Sequence, residues 1–346
     1  MLIRLHPAVC ERSSALLPPI HELRGISISY ISLHSIVHAD RFTSNFGDNS
    51  KRLIKHHSDW HFDLQLPTPL HQTTSPIYIH LMAQGTTIAF FGATGDSAGY
   101  CLAAALRNEY ACTALARTPS KLTTSLTTKG ISPETQVRFL TIVQGDVRDP
   151  EPVKQTLHPG GKTVDVIVSG VGATAFYLHP NPLAPIGIQD STICRDASRS
   201  ILAALEQNQN QQGSGSGSGS QKPLLINIST TGIAPPGKPR DVPLLWLPLY
   251  RWLLHHPHVD KAEMEANLRA VMAKEERPLR GYVNVKPTLL SGGEGIGWER
   301  VRFGVDDEPA VGYFVARKDV GEWIFERLVR REWGVGWEGN GVCLAN

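Results

Sequence analysis

The sequence predicts an α/β fold, a doubly wound parallel sheet with a small C-terminal substrate-binding region. Three observations carry this. From residue 86 onward, short apolar runs alternate with longer segments of helical period. The short runs are apolar throughout, as strands covered on both faces are. The first of them leads into "FFGATGDSAGY" (90–100), where Gly92, Gly95 and Gly99 stand between a strand and a helix.

The elements follow in order. "TTIAFF" (86–91) predicts the first strand. "AGYCLAAALRNE" (98–109) predicts a helix, because it is alanine-rich and spaces Leu102 and Leu106 four apart. "ACTALA" (111–116) and "VRFLTIV" (137–143) predict the second and third strands. In "GDVRDPEPVKQTL", Asp149 is placed to cap a helix that has proline at its start. "VDVIVSG" (164–170) reads as the fourth strand, followed by a long helix at about 190–207. "PLLINIS" (223–229) is the fifth strand, "HVDKAEMEANLRAVMAKEE" (258–276) a helix and "GYVNVKP" (281–287) the sixth strand. After a glycine-rich stretch, a short strand is expected at about 311–316 and a closing helix from about 318.

Two segments stand outside this alternation. Residues 1–81 hold nine of the fourteen histidines, with scattered proline, serine and threonine and no sustained period. They are expected to form a poorly ordered extension, with the working domain spanning 82–346 from Met82. Charges and prolines interrupt any signal-peptide core, and Glu11 and Glu22 argue against a transit peptide. His56, His57 and His61 lie in no coherent helix, so no metal site is expected. "QNQNQQGSGSGSGSQK" (207–222) reads as a low-complexity insert.

Composition narrows the function. The 346 residues are 41% apolar, ample for a buried core, and carry a formal net charge of +2 without a Lys/Arg run. That argues against a nucleic-acid partner. Cysteines at 10, 101, 112, 194 and 343 form no CxxC pair, so neither zinc nor a disulfide framework is indicated, and a reducing, cytoplasmic setting is expected. No apolar run reaches 18 residues, so integral membrane association is not expected.

The glycine loop points to a dinucleotide. Such a loop must turn sharply, bring backbone N–H groups to a pyrophosphate and let the helix pack on the strand. The helix N-terminus adds partial positive charge. About 20 residues on, a dinucleotide site places an acid for the ribose 2′-OH or an arginine for a 2′-phosphate. Here "LARTPSKL" places Arg117 there with Lys121 one turn beyond, and no acid lies between Glu109 and Glu134. A guanidinium fork and a nearby ammonium suit phosphate, so the expected cofactor is NADP(H).

The series "GATGDSAG", "ARTPSKL", "VQGDVRD", "VIVSGVG", "INIST", "KAEMEANLR", "VKPTLLSGG" and "ARKDVGEWIFERL" resembles the atypical short-chain dehydrogenase/reductases, in the branch of NAD(P)H-binding and NmrA-like proteins. The resemblance covers about residues 86–331 and implies a Rossmann-type fold. It implies that Thr94, Gly95, Asp96, Ser97 and Ala98 wrap the pyrophosphate, after Gly92 of the cofactor-binding glycine loop, and that Arg117 selects NADP. Asp146 and Val147 would lie by the adenine. Ser169, Gly170, Val171 and Gly172 would run along the ribose toward the nicotinamide. Ser229 and Thr230 would reach the substrate side, Lys261 the nicotinamide ribose, and Pro287 would shape the loop beside the nicotinamide.

One departure matters. The usual Tyr-x-x-x-Lys, in which lysine lowers the pKa of a proton-donating tyrosine, is absent, because Pro257 stands four before Lys261. Tyr177, Ser229, Tyr250 or a substrate-bound water then supplies the proton, or the protein holds the dinucleotide without turnover. Lys261, Ser229 and Tyr177 are the candidate catalytic residues. "VPLLWLPLYRWLLHH" (242–256) reads as the wall of an apolar pocket, with a partner- or membrane-docking surface as the alternative. The resulting expectation is an NADP-dependent oxidoreductase acting on an apolar small molecule. The alternative is a non-catalytic, NmrA-like NADP-binding redox sensor.

Overall fold

The computed structural model describes residues 85–173, 176–178, 186–212, 222–235, 237–330 and 337–346. The expected N-terminal extension lies outside the described residues, as does 213–221 of the insert.

Strand β1 (Thr87–Phe91) leads into α1 (Asp96–Arg107), then β2 (Ala111–Ala116), α2 (Pro119–Thr128), α3 (Pro133–Phe139) and β3 (Leu140–Gln144). Next come α4 (Pro150–Leu157), β4 (Val166–Ser169), the short strands β5 (Phe176–Leu178) and β6 (Ile186–Ile188), and α5 (Ile193–Gln212). β7 (Leu224–Ile228), α6 (Leu247–Leu253), α7 (His255–Met272) and β8 (Gly281–Pro287) follow. β9 (Leu289–Ser291), β10 (Arg302–Val305), β11 (Phe314–Ala316), α8 (Arg317–Ile324) and β12 (Gly341–Ala345) complete the chain.

The eight-stranded sheet has the order β10-β12-β8-β7-β4-β1-β2-β3. Every pairing from β12 to β3 is parallel, and β10 joins β12 antiparallel at the edge. This is the expected doubly wound Rossmann-type sheet. Its period of two sends alternate side chains to opposite faces. Ile88 and Phe90 pack with Leu102, Leu106 and Trp323 under α1 and α8, whereas Ala89 and Phe91 pack with Ile201 and Leu268 under α5 and α7.

The structure differs from the sequence reading at several elements, among them α2, the β5–β6 pair, β9 and α6, which no expected element covered. The third strand begins at Leu140, because 133–139 is helical. Ser132 caps that helix by accepting from the Thr135 N–H at 3.2 Å, and Pro133 stands at its first position, so capping outweighs the strand preference of "VRF". Helix α5 runs to Gln212 rather than ending near 207. Glutamine is a good helix former, and Asn208 ties the added turn to Thr163 Oγ1 at 3.2 Å. Finally, β12 and β10 extend the sheet beyond the six expected strands. β12 is the five-residue "GVCLA", buried along its whole length beside β8.

Candidate functional site

The strand order reverses between β1 and β4, and a crevice above such a switch point is where open α/β sheets bind ligands. A groove lies there. It is lined by Gly92, Thr94 and Gly95 after β1, Arg117 after β2, Asp146 and Val147 after β3, Gly170, Val171 and Gly172 after β4, and Ile193 at the start of α5. Nine residues proposed from the sequence therefore meet in one place.

Glycine is required at two of them. Gly92 has φ +74, and a Cβ there would stand 2.7 Å from the Gly170 carbonyl. A Cβ on Gly170 would stand 2.6 Å from that of Ala98. The β1 loop, the β4 loop and the start of α1 thus touch through residues with little or no side chain. The Gly170 N–H donates to Phe91 O at 2.9 Å and closes the floor of the crevice.

Helix α1 begins at Asp96, so Asp96, Ser97 and Ala98 form its first turn rather than a preceding loop. No side chain caps that turn. The buried Ser97 hydroxyl makes no hydrogen bond among the described residues. Uncapped N–H groups at a helix start, an unpartnered hydroxyl and a glycine cradle fit a pyrophosphate. When bound, a nicotinamide dinucleotide supplies hydride chemistry that no side chain offers.

Asp96 would oppose that anion, but Lys129 Nζ lies 3.3 Å from its carboxylate, donates to Ser125 Oγ at 2.8 Å and sits 4.9 Å from the Tyr100 ring centre. We expect Lys129→Ala to weaken NADPH and NADH binding alike, by about three- to tenfold, since the lost compensation is of the size of a partly buried charge at a helix end. Isothermal titration with both dinucleotides checks this, and a loss confined to NADPH would contradict it.

Arg117 is exposed at the groove, and Lys121 is exposed on α2. Asp146 lines the groove but turns one carboxylate oxygen to the Arg148 N–H at 3.0 Å. Ser169 is buried at the end of β4. Lys261, on α7, donates to Val171 O at 3.1 Å and to Ile228 O at 2.6 Å, which places its ammonium between the ends of β4 and β7. The neighbouring Asp260 caps α5 by accepting from the Cys194 and Arg195 N–H groups, both at 2.9 Å. Neither Asp260 nor Ile193 carried a sequence signal, since an acid beside a lysine and a single apolar residue are unremarkable in a string.

The remaining candidates are not among the residues that line the groove. The Ser229 hydroxyl donates to Glu265 at 2.6 Å, within a buried ion cluster. In that cluster Lys286 Nζ lies 3.6 Å from Glu265 and 3.0 Å from Asp306. Burial raises the Glu265 carboxyl, against the pull of Lys286 and Ser229. Pro287 is buried at the end of β8 and accepts from the Thr231 N–H at 3.2 Å. Tyr177 is half exposed on β5, its ring lying across Gly187 of β6. Tyr250 is buried on α6, 3.5 Å from Thr231 Oγ1, with its ring 5.6 Å from that of His258. Burial raises the Tyr250 phenol and lowers the His258 imidazole to about 4.

The segment read as an apolar wall contributes Trp246, which packs edge-on against Tyr313 and Phe314, each at 5.5 Å. Around it Leu245 and Trp252 are 82% and 47% exposed. Among the described residues, no cluster of His, Cys, Asp or Glu is placed to hold a metal, and no helix is long and apolar enough to cross a membrane.

Residues 92–330 match the family model described as NAD(P)H-binding. The chain belongs to this NAD(P)H-binding family. Two curated relatives extend the match. The chain is 43% identical over 256 residues to Reductase pytE of Aspergillus terreus, covering 71% of this chain and 92% of that one. It is 41% identical over 266 residues to Oxidase pynE of Aspergillus niger, covering 70% and 92%. A short-chain dehydrogenase/reductase from Veillonella parvula, solved in complex with NADP, superposes with a TM-score of 0.52 at 15% identity, over 75% of this chain and 94% of that one. That structure shares the fold. The NAD(P)H-binding oxidoreductase character expected from the ordered motifs is thereby supported, with relatives named for both reduction and oxidation.

Proposed function

We propose that the chain is an NADP-dependent oxidoreductase. It passes hydride between the nicotinamide and a carbonyl, alcohol or activated double bond of an apolar small molecule. The observation that carries this reading is the groove itself. Gly92, Thr94 and Gly95 line it and lead directly into the uncapped start of α1, and Arg117 is exposed just after β2 where a 2′-phosphate would lie. Thr94 to Ala98 hold the pyrophosphate, Arg117 and Lys121 hold the 2′-phosphate, and Val147 flanks the adenine. Gly170 to Gly172 carry the ribose. Lys261, already holding the Val171 and Ile228 carbonyls, fixes the floor beside the nicotinamide. The aromatic group of Trp246, Tyr313 and Phe314 supports an apolar substrate.

Incubation with NADPH and a panel of quinones, ketones and enones, followed by absorbance of the reduced nicotinamide, tests this. Loss of absorbance with at least one acceptor is expected. Tight NADPH binding without loss on any acceptor, nor gain from NADP with the matching alcohols, would support a non-catalytic NADP-binding regulator instead. Pro257 in place of the usual tyrosine favours that second reading.

A further inference from the structure

Arg148 follows Val147, which lines the groove, and its guanidinium reaches the link that leads into Ile193 of the groove wall. Its two terminal nitrogens donate in parallel to the two carboxylate oxygens of Asp190, each at 2.7 Å. Nε donates to Asp196 at 2.9 Å, and Thr192 Oγ1 donates to the same carboxylate at 2.9 Å. Asp190 and Thr192 belong to the link from β6 into α5, next to Ile193 of the groove wall. From the other side, Asp260 caps the same helix start. The start of α5 is thus held between the adenine-side loop and the helix that carries Lys261. Just before this link, β6 pairs antiparallel with β5, matching Gly187 to Tyr177.

A forked arginine–carboxylate pair sets direction as well as distance. Arg148 and Asp190 are 38% and 40% exposed, so their bond adds little to global stability. Its geometry instead joins two segments that each run into a residue lining the groove, Val147 and Ile193. We infer that Arg148 is a positioning residue that couples occupancy of the adenine end of the groove to the β5–β6 strand pair. This inference rests on the NADP reading above.

Hydrogen exchange of peptides covering β5 and β6, with and without NADPH, tests it on the full chain and on Arg148→Ala, Arg148→Lys and Asp190→Asn. In the parent, NADPH is expected to slow exchange of these strands about fivefold or more. Arg148→Ala should still bind NADPH, within about tenfold of the parent, and melt near the parent temperature, yet lose that protection. Arg148→Lys should recover only part of it, since an ammonium cannot form the fork. Asp190→Asn leaves the arginine in place and removes the fork's carboxylate, so it should behave as Arg148→Ala even if that variant folds poorly. A merely structural role would alter melting and leave cofactor-induced protection intact. Equal protection in parent and variants, or none in a parent shown to bind NADPH, would overturn the coupling and leave the cofactor reading standing. A parent that binds no NADPH would overturn both.

Discussion

Arg117→Asp is expected to weaken NADPH binding by about 10- to 150-fold while leaving NADH binding similar or tighter. NADPH and NADH differ by one phosphate on the adenosine ribose. A charge-assisted arginine–phosphate contact contributes about 1.5–3 kcal/mol, which sets that range. Arg117 follows β2 on the wall of the groove, where on the proposed reading its fork would meet the 2′-phosphate. An aspartate there repels the phosphate and accepts from free ribose hydroxyls instead. Lys121→Ala should act in the same direction and less strongly, because an exposed ammonium on α2 offers a screened point charge. Titration of both variants with both dinucleotides checks this. Equal losses for NADPH and NADH in Arg117→Asp would show that Arg117 does not hold the 2′-phosphate.

The second large effect lies away from the groove. Lys286→Met is expected to destabilise the fold by about 3–5 kcal/mol, as the loss of one partner of a buried ion pair does. The Lys286 side chain is 1% exposed on β8 and stands between Glu265 of α7 and Asp306 after β10. Asp306 in turn accepts from the Gly341 N–H at 2.7 Å, which ties the start of β12 into the same cluster. Burial alone would lower the Lys286 ammonium pKa, but Glu265 and Asp306 raise it above the ordinary lysine range. Methionine fills similar volume but removes the cation from Asp306 and leaves Glu265 with only Arg269, at 3.5 Å. Urea unfolding should show a clearly lowered midpoint. By contrast, Lys238→Met, at an exposed pair with Asp307, should leave the midpoint nearly unchanged. Equal midpoints for Lys286→Met and the parent would show that the cluster adds nothing to stability.

The parts of this site legible in the sequence are those set by backbone chemistry. Gly92 and Gly170 stand where any side chain would collide with backbone or with Ala98, and such constraints leave glycine in the string. Arg117 was legible because strand length and loop length place it at a known distance from the glycines. Strands β1, β2, β4, β7 and β8 were legible because burial on both faces makes them largely apolar. Residues joined only by the fold were not. Arg148 lies 42 residues from Asp190, and Ser229 lies 36 from Glu265. Ser229 read as a substrate-side hydroxyl because its place at the end of β7 is visible in sequence, whereas its carboxylate partner on α7 is not. The α3 helix was hidden for a different reason. Its cap and first-turn proline are local signals, but they are followed by "VRF", whose side chains suit a strand equally well.

The most direct test is a pair of titrations of the unaltered protein, one with NADPH and one with NADH, followed by the fluorescence of the bound nicotinamide. A groove with Arg117 at its adenosine end should bind NADPH about 10- to 150-fold more tightly than NADH, with one site per chain. Equal affinities would contradict the role given to Arg117, and failure to bind either dinucleotide would contradict the assignment of the groove.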